Sequence, residues 1–161
     1  MRFRSATIGS FLTLLLLAGC NSEQPPTVAQ DITFRGDGLL DFVRADSTVI
    51  TRIAIELAET DSSQARGLMD RRSLPERGGM LFVNDTVEPR SFWMRSTPLP
   101  LDIMFIDAEN RVVNIVARTT PYSDDRINSE GPAQHILEVR AGFTERFGIV
   151  PGTEIRWRRS E

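Results

Sequence analysis

LDIMFIDAENRVVNIVA, residues 101–117, is two apolar runs joined by a short polar turn, and its reading decides the fold. Each run is too short for a helix with a buried face. The joining residues 107–110 (DAEN) carry Asp and Asn, whose side chains bond back onto a tight turn. The spacing predicts a β-hairpin. Within its first strand Leu101, Ile103 and Phe105 share one face, and Asp102, Met104 and Ile106 share the other. Both faces are apolar except at Asp102, so this strand is expected to be central and buried. A buried carboxylate must be neutral, paired or hydrogen-bonded, which makes Asp102 the first residue to explain.

Upstream, residues 97–100 (TPLP) cannot continue a central strand, because proline supplies no ladder donor. Residues 90–95 (RSFWMR) are expected to be extended, with Ser91, Trp93 and Arg95 on one face and Phe92 and Met94 on the other. Trp93 beside Arg95 would make an aromatic platform with a polar edge.

Further out, strands are expected at 39–46, 49–58, 80–83, 135–141 and 153–157. Asp61 with Gln64 fits an N-terminal capping box for a short helix over 62–70, with Ala65, Leu68 and Met69 inward. Gly67 inside it costs about 1 kcal/mol relative to alanine, so a contact should require it. Residues 143–148 fit a helical turn, and 118–132 an unusually long loop. Without βαβ alternation a parallel sheet is not expected. The prediction is a mainly β fold, a compact antiparallel β-sandwich or partly closed barrel with one or two short helices.

The first 19 residues read as an address. Arg2 and Arg4 precede an apolar core at 11–18 (FLTLLLLA), far short of the roughly 20 residues that span a bilayer. The segment ends Leu17-Ala18-Gly19-Cys20, which resembles the lipobox of bacterial lipoproteins. Cleavage there would leave Cys20, the chain's one cysteine, as an acylated first residue, with 20–38 as a flexible tether and 39–161 as a single domain. Several acyl chains would hold it firmly, since each buried methylene contributes about 0.8 kcal/mol. The implied location is the cell envelope, facing the periplasm or exterior, with the membrane as anchor.

Charge and composition narrow the chemistry. All 19 basic residues are arginine, against 22 acidic ones, a net charge of −3; loss of residues 1–19 would make it −5. An acidic chain without a basic tract is a poor nucleic-acid binder. With Cys20 lipidated, no thiol remains for catalysis or metal. His135, the lone histidine, has no second ligand nearby, so neither a zinc site nor a cofactor is expected. No serine has a nucleophile-elbow setting, and no glycine loop has that of a phosphate cradle.

The blocks GLMDR (67–71), GGMLFV (78–83), SFWMRSTPLPLDIMFID (91–107) and ILEVRAG (136–142), in this order, resemble the DUF192 family, a domain of unknown function. The resemblance runs over roughly residues 53–157. It implies one compact, mostly β domain with a short helix, often behind an export signal, and implies no established activity. The family pattern usually has Asn where this chain has Ser96, which puts any ligand role of that amide in doubt here.

Glu138 sits mid-strand among apolar neighbours and needs a fixed partner, for which Arg66, Arg71 and Arg95 are the candidates; a guanidinium fork would lock strand to helix. The leading functional reading is a non-catalytic, lipid-anchored binding module for a small ligand or envelope component. Its candidate ligand-binding residues are Trp93, Arg95, Asp102, Arg66, Arg71 and Glu138. A hydrolase acting on a saccharide with Asp102 and Glu138 across one cleft is the enzymatic alternative. A scaffold or assembly factor using loop 118–132 is the third.

Overall fold

A computed structural model describes residues 32–161. The expectations for the signal segment, Cys20 and the first part of the tether lie outside the described residues. The strands are β1 (Gly38–Val43), β2 (Val49–Ala58), β3 (Gly78–Phe82), β4 (Glu88–Phe92), β5 (Leu101–Ile106), β6 (Val112–Val116), β7 (Ile127–Ala133), β8 (His135–Arg140) and β9 (Glu154–Arg159). The helices are α1 (Asp61–Arg66) and α2 (Phe143–Phe147). Seven strands form one sheet in the order β6-β5-β8-β3-β2-β1-β9, and β4 pairs with β7 in a separate ribbon. The expected mainly β architecture is what forms.

The sheet curls until its outermost strands meet at one end. Arg111 bridges Glu154, the Val112 N–H donates to the Thr153 carbonyl at 2.9 Å, and the Ile155 N–H donates to the Asn110 carbonyl at 2.8 Å. The result is a half-barrel. Its inner face buries Leu40, Phe42, Ile53, Ile55, Leu81, Met104, Leu137 and Val139. Phe143 of α2 plugs it, 5.5 Å from Phe42 between ring centroids.

The outer face carries a second core of Met80, Phe82, Leu101, Ile103, Phe105 and Ile136. Leu68, Leu74 and Met94 cover it from the segments after α1 and β4. β5 is buried at every position, as an apolar run on both faces requires.

Three sequence expectations need correcting. β2 and β3 pair in parallel, the single such pair among the described strands, because residues 59–77 with α1 are long enough to carry the chain back across the sheet. Residues 127–133, expected as loop, form β7; its sequence INSEGPA has few strand formers, and pairing with β4 orders it. β4 in turn stops at Phe92, so Trp93–Arg95 is not strand.

The helix also differs in detail. Thr60, not Asp61, is the N-cap: its hydroxyl accepts from the Ser63 N–H, and the Ser63 hydroxyl accepts from the Thr60 N–H. Leu68 is buried as expected and Met69 half-buried, but Ala65 is exposed. Gly67 ends the helix rather than interrupting it, at φ 49° and ψ −134°. Ser96 lies at φ 54°, in the left-handed region where asparagine is tolerated best after glycine. A backbone requirement therefore accounts for the asparagine of the family pattern without any ligand.

Candidate functional site

Asp102 and Glu138 end up on opposite faces of the sheet. β5 and β8 pair antiparallel with Asp102 opposite Val139 and Ile103 opposite Glu138. Residues directly opposed across a ladder point the same way, and successive residues alternate. Asp102 therefore joins Val139 on the inner face and Glu138 joins Ile103 on the outer one. The two-carboxylate cleft of the hydrolase reading does not form.

On the inner face Asp102 is fully buried and saturated with donors. Its Oδ1 accepts from the N–H groups of Arg118 at 2.9 Å and Gly142 at 3.1 Å. Its Oδ2 accepts from the Thr144 N–H at 2.9 Å and the Thr144 hydroxyl at 2.7 Å. The N-cap of α2 is Gly142, which has no side chain, so Asp102 supplies the missing acceptor from across the sheet. Of the three states open to a buried carboxylate, Asp102 is the hydrogen-bonded one, with backbone donors from residues 118, 142 and 144.

Glu138, on the outer face, has none of the arginine partners expected for it. It is 4% exposed, flanked on its sheet by Met80 and Ile103, and its Oε2 has no hydrogen-bond partner among the described residues. Burial among apolar groups pushes its pKa up to about 8, so near neutral pH it is mainly a carboxylic acid. Arg71 is occupied elsewhere, in a buried ion pair with Glu56. Glu56 also accepts from the Arg35 N–H at 2.7 Å, which ties the chain before β1 to β2.

Glu138 lies in the wall of a cleft of about 380 Å³. The end of α1 and residues 67–69 form one side; β4 and Trp93 form the other. Phe82 and Ile136 join Glu138 on the sheet side, and Thr97 and Arg126 complete the wall. Gly67 is needed here: a Cβ at that position would stand 3.2 Å from the Phe82 ring, itself a wall of the cleft.

Trp93 carries two cations, with the guanidinium carbons of Arg95 and Arg126 lying 4.3 Å and 4.7 Å from its ring centre. Arg95 also binds Asp124, Nε to Oδ1 2.6 Å, so it is turned to a carboxylate and does not line the cleft. The indole is thus an aromatic platform whose polar edge is formed by two guanidiniums, that of Arg126 joining the Arg95 expected there. Of the six predicted ligand-binding residues, Trp93, Arg66 and Glu138 line the cleft; Arg95, Arg71 and Asp102 do not.

Arg90, Asn84 and Arg126 complete the polar lining and were not singled out by sequence reasoning. Their one signal was indirect, since Arg126 falls in the long segment after β6 marked as unusual. His135 faces away on the inner side; its Nδ1 accepts from the Asn84 N–H at 3.3 Å. Burial, followed by the charge of Arg90, holds its pKa below the usual histidine value. Among the described residues no three His, Cys, Asp or Glu side chains come together as a metal site, and no helix is long and apolar enough to cross a membrane.

The family model DUF192, described as an uncharacterized ACR, matches residues 42–157. The chain belongs to the DUF192 family. That match spans the ribbon, the cleft and the half-barrel apart from most of β1 and the end of β9, so the site belongs to the DUF192 domain itself. No curated protein matches the chain. The solved structures similar to this DUF192 chain include two from bacteria. One, from Sinorhizobium meliloti 1021 and described as a "putative transcription regulator", is 30% identical with a TM-score of 0.73, covering 80% of this chain and 98% of that one. The other, a protein of unknown function from Novosphingobium aromaticivorans DSM 12444, is 35% identical with a TM-score of 0.69, covering 74% and 84%.

Proposed function

We propose that this DUF192 chain is a lipid-anchored envelope protein whose domain binds a small ligand in the cleft beside Glu138, without catalysis. One observation carries the reading: a buried carboxyl lines the cleft with an oxygen lacking any partner among the described residues. A buried polar group left unsatisfied costs about 1–3 kcal/mol, and a ligand that supplies the missing hydrogen bond recovers part of that. The cleft volume is that of ordinary small-molecule sites, about 300–1,000 Å³. The hydrolase alternative loses its support because its second carboxylate serves as the cap of α2 on the far face.

The anchor rests on the Leu17-Ala18-Gly19-Cys20 stretch and the short apolar core before it. Two experiments test the two halves. Cys20→Ser is expected to abolish labelling by a palmitate analogue, and persistent labelling rejects the anchor. A thermal-shift screen with small metabolites and cell-wall fragments is expected to find stabilising compounds whose effect is lost in Glu138→Leu. Equal shifts in the variant reject the cleft as the binding site.

A further inference from the structure

We infer that the cleft is built for a small amphipathic organic anion, its charged end at the arginine-bearing mouth and a hydrogen-bond acceptor at its apolar end meeting Glu138. This rests on the binding reading above and adds the chemical class of the ligand.

The charge pattern comes first. The protein carries net negative charge, yet the cationic side chains lining this cleft are Arg66 of α1, Arg90 of β4 and Arg126 ahead of β7. The one acidic residue in the lining is Glu138. Three of the carboxylates near these residues are committed to arginines, and Asp125 instead accepts from the Ser123 hydroxyl. Asp70 lies 3.9 Å from Arg66, Glu88 2.8 Å from Arg90, and Asp124 is bound to Arg95. Arg126 has no carboxylate partner among the described residues and is held only over the Trp93 ring. An exposed guanidinium on an aromatic seat keeps its fork of donors available and loses little freedom when it binds a carboxylate or phosphate.

The other end follows from burial. Glu138 stands beside Phe82 and Ile136 with Oε2 unpartnered. Such a group is kept as the neutral acid, which donates through its O–H. It fits a carbonyl or hydroxyl oxygen on an otherwise apolar ligand. Phe82, Phe92 and Ile136 suit the body between the two ends. A cationic ligand meets the guanidinium of Arg126, which no carboxylate among the described residues offsets, and is disfavoured by the same arrangement.

The test uses aryl and alkyl carboxylates, each with its matched amide and amine. 4-Hydroxyphenylacetate, 4-hydroxyphenylacetamide and tyramine form one such set, and phenylacetate lacks the far hydroxyl. Binding is followed by calorimetry and by the two indole N–H signals. The expected results are that carboxylates bind at least 10-fold more tightly than their amides, that amines do not bind, and that the Trp93 signal shifts while that of Trp157 does not. Arg126→Glu is expected to lose at least 10-fold in affinity, whereas Arg44→Glu, the same charge change at a distant turn, loses none.

Raising the pH from 6.5 to 9.5 ionises Glu138 and removes its O–H donor, which is expected to weaken about 10-fold the binding of a carboxylate whose far group is a carbonyl, an acceptor only. Glu138→Gln, neutral throughout, should bind with no such dependence. Identical pH profiles for the two proteins overturn the placement of the ligand beside Glu138. Amides or amines binding as well as the acids overturn the anionic ligand and leave the binding reading standing. No binding by any compound overturns both.

Discussion

Asp102 and Glu138 occupy neighbouring hydrogen-bonded strands, one residue out of step, and so point to opposite sides of one sheet. This single offset separates a structural carboxylate from the one proposed to meet a ligand. Asp102 is bonded by four donors and organises α2 and the chain after β6. Glu138 has an unpartnered oxygen and faces the cleft.

Asp102→Ala leaves three backbone N–H groups and the Thr144 hydroxyl without their acceptor. With unsatisfied buried donors costing about 1–3 kcal/mol each, urea denaturation is expected to show a loss of about 3 kcal/mol or more. A loss under about 1 kcal/mol rejects its role as the α2 cap. Ligand affinity of the folded variant should be unchanged, because the cleft is on the other face.

Glu138 makes stability depend on pH with a defined sign. Its carboxyl ionises near 4.5 when unfolded and near 8 when folded. Between these values the native state holds a proton that the unfolded state has released. Stability is therefore full below pH 4.5 on this account and falls as pH rises toward 8, by at most about 1.4 kcal/mol per pH unit, then levels off. Denaturation series from pH 4.5 to 9 should show this slope in the wild type and a flatter one in Glu138→Gln. Parallel curves would refute the assignment.

The buried Glu56–Arg71 pair predicts a non-additive pattern. Glu56→Leu or Arg71→Met alone strands a buried charge and is expected to cost about 3–5 kcal/mol. Replacing both with Leu and Met should recover most of that loss, less the hydrogen bond that Glu56 accepts from the Arg35 N–H. Simple additivity in the double variant counts against a coupled pair.

Gly67→Ala would stabilise an ordinary helix interior by about 1 kcal/mol. Here the φ of 49° and the 3.2 Å approach to Phe82 predict the reverse, a loss of about 1–3 kcal/mol, with weaker ligand binding as Phe82 is displaced. A stabilised variant would show that the residue is free to become helical.

The sequence by itself determined the strands that carry their own signal. Residues 101–117 alternate and turn, so β5 and β6 were legible, as were the buried Met94, Ile103 and Phe105. The puzzle of two carboxylates in apolar surroundings was legible too, because burial of a charge is a local contradiction in the pattern. β7 was not, since INSEGPA has no apolar period and is ordered by its ladder with β4 and by the Asn114 side chain, which bonds the Asn128 carbonyl and the Glu130 N–H. Nor was the site. Whether Asp102 and Glu138 met depended on the register of β5 against β8, and which arginine reached which carboxylate depended on a parallel crossover that brings Arg71 to Glu56. Register and crossover arise from packing between distant segments, and a one-residue step in either moves every side chain to the other face.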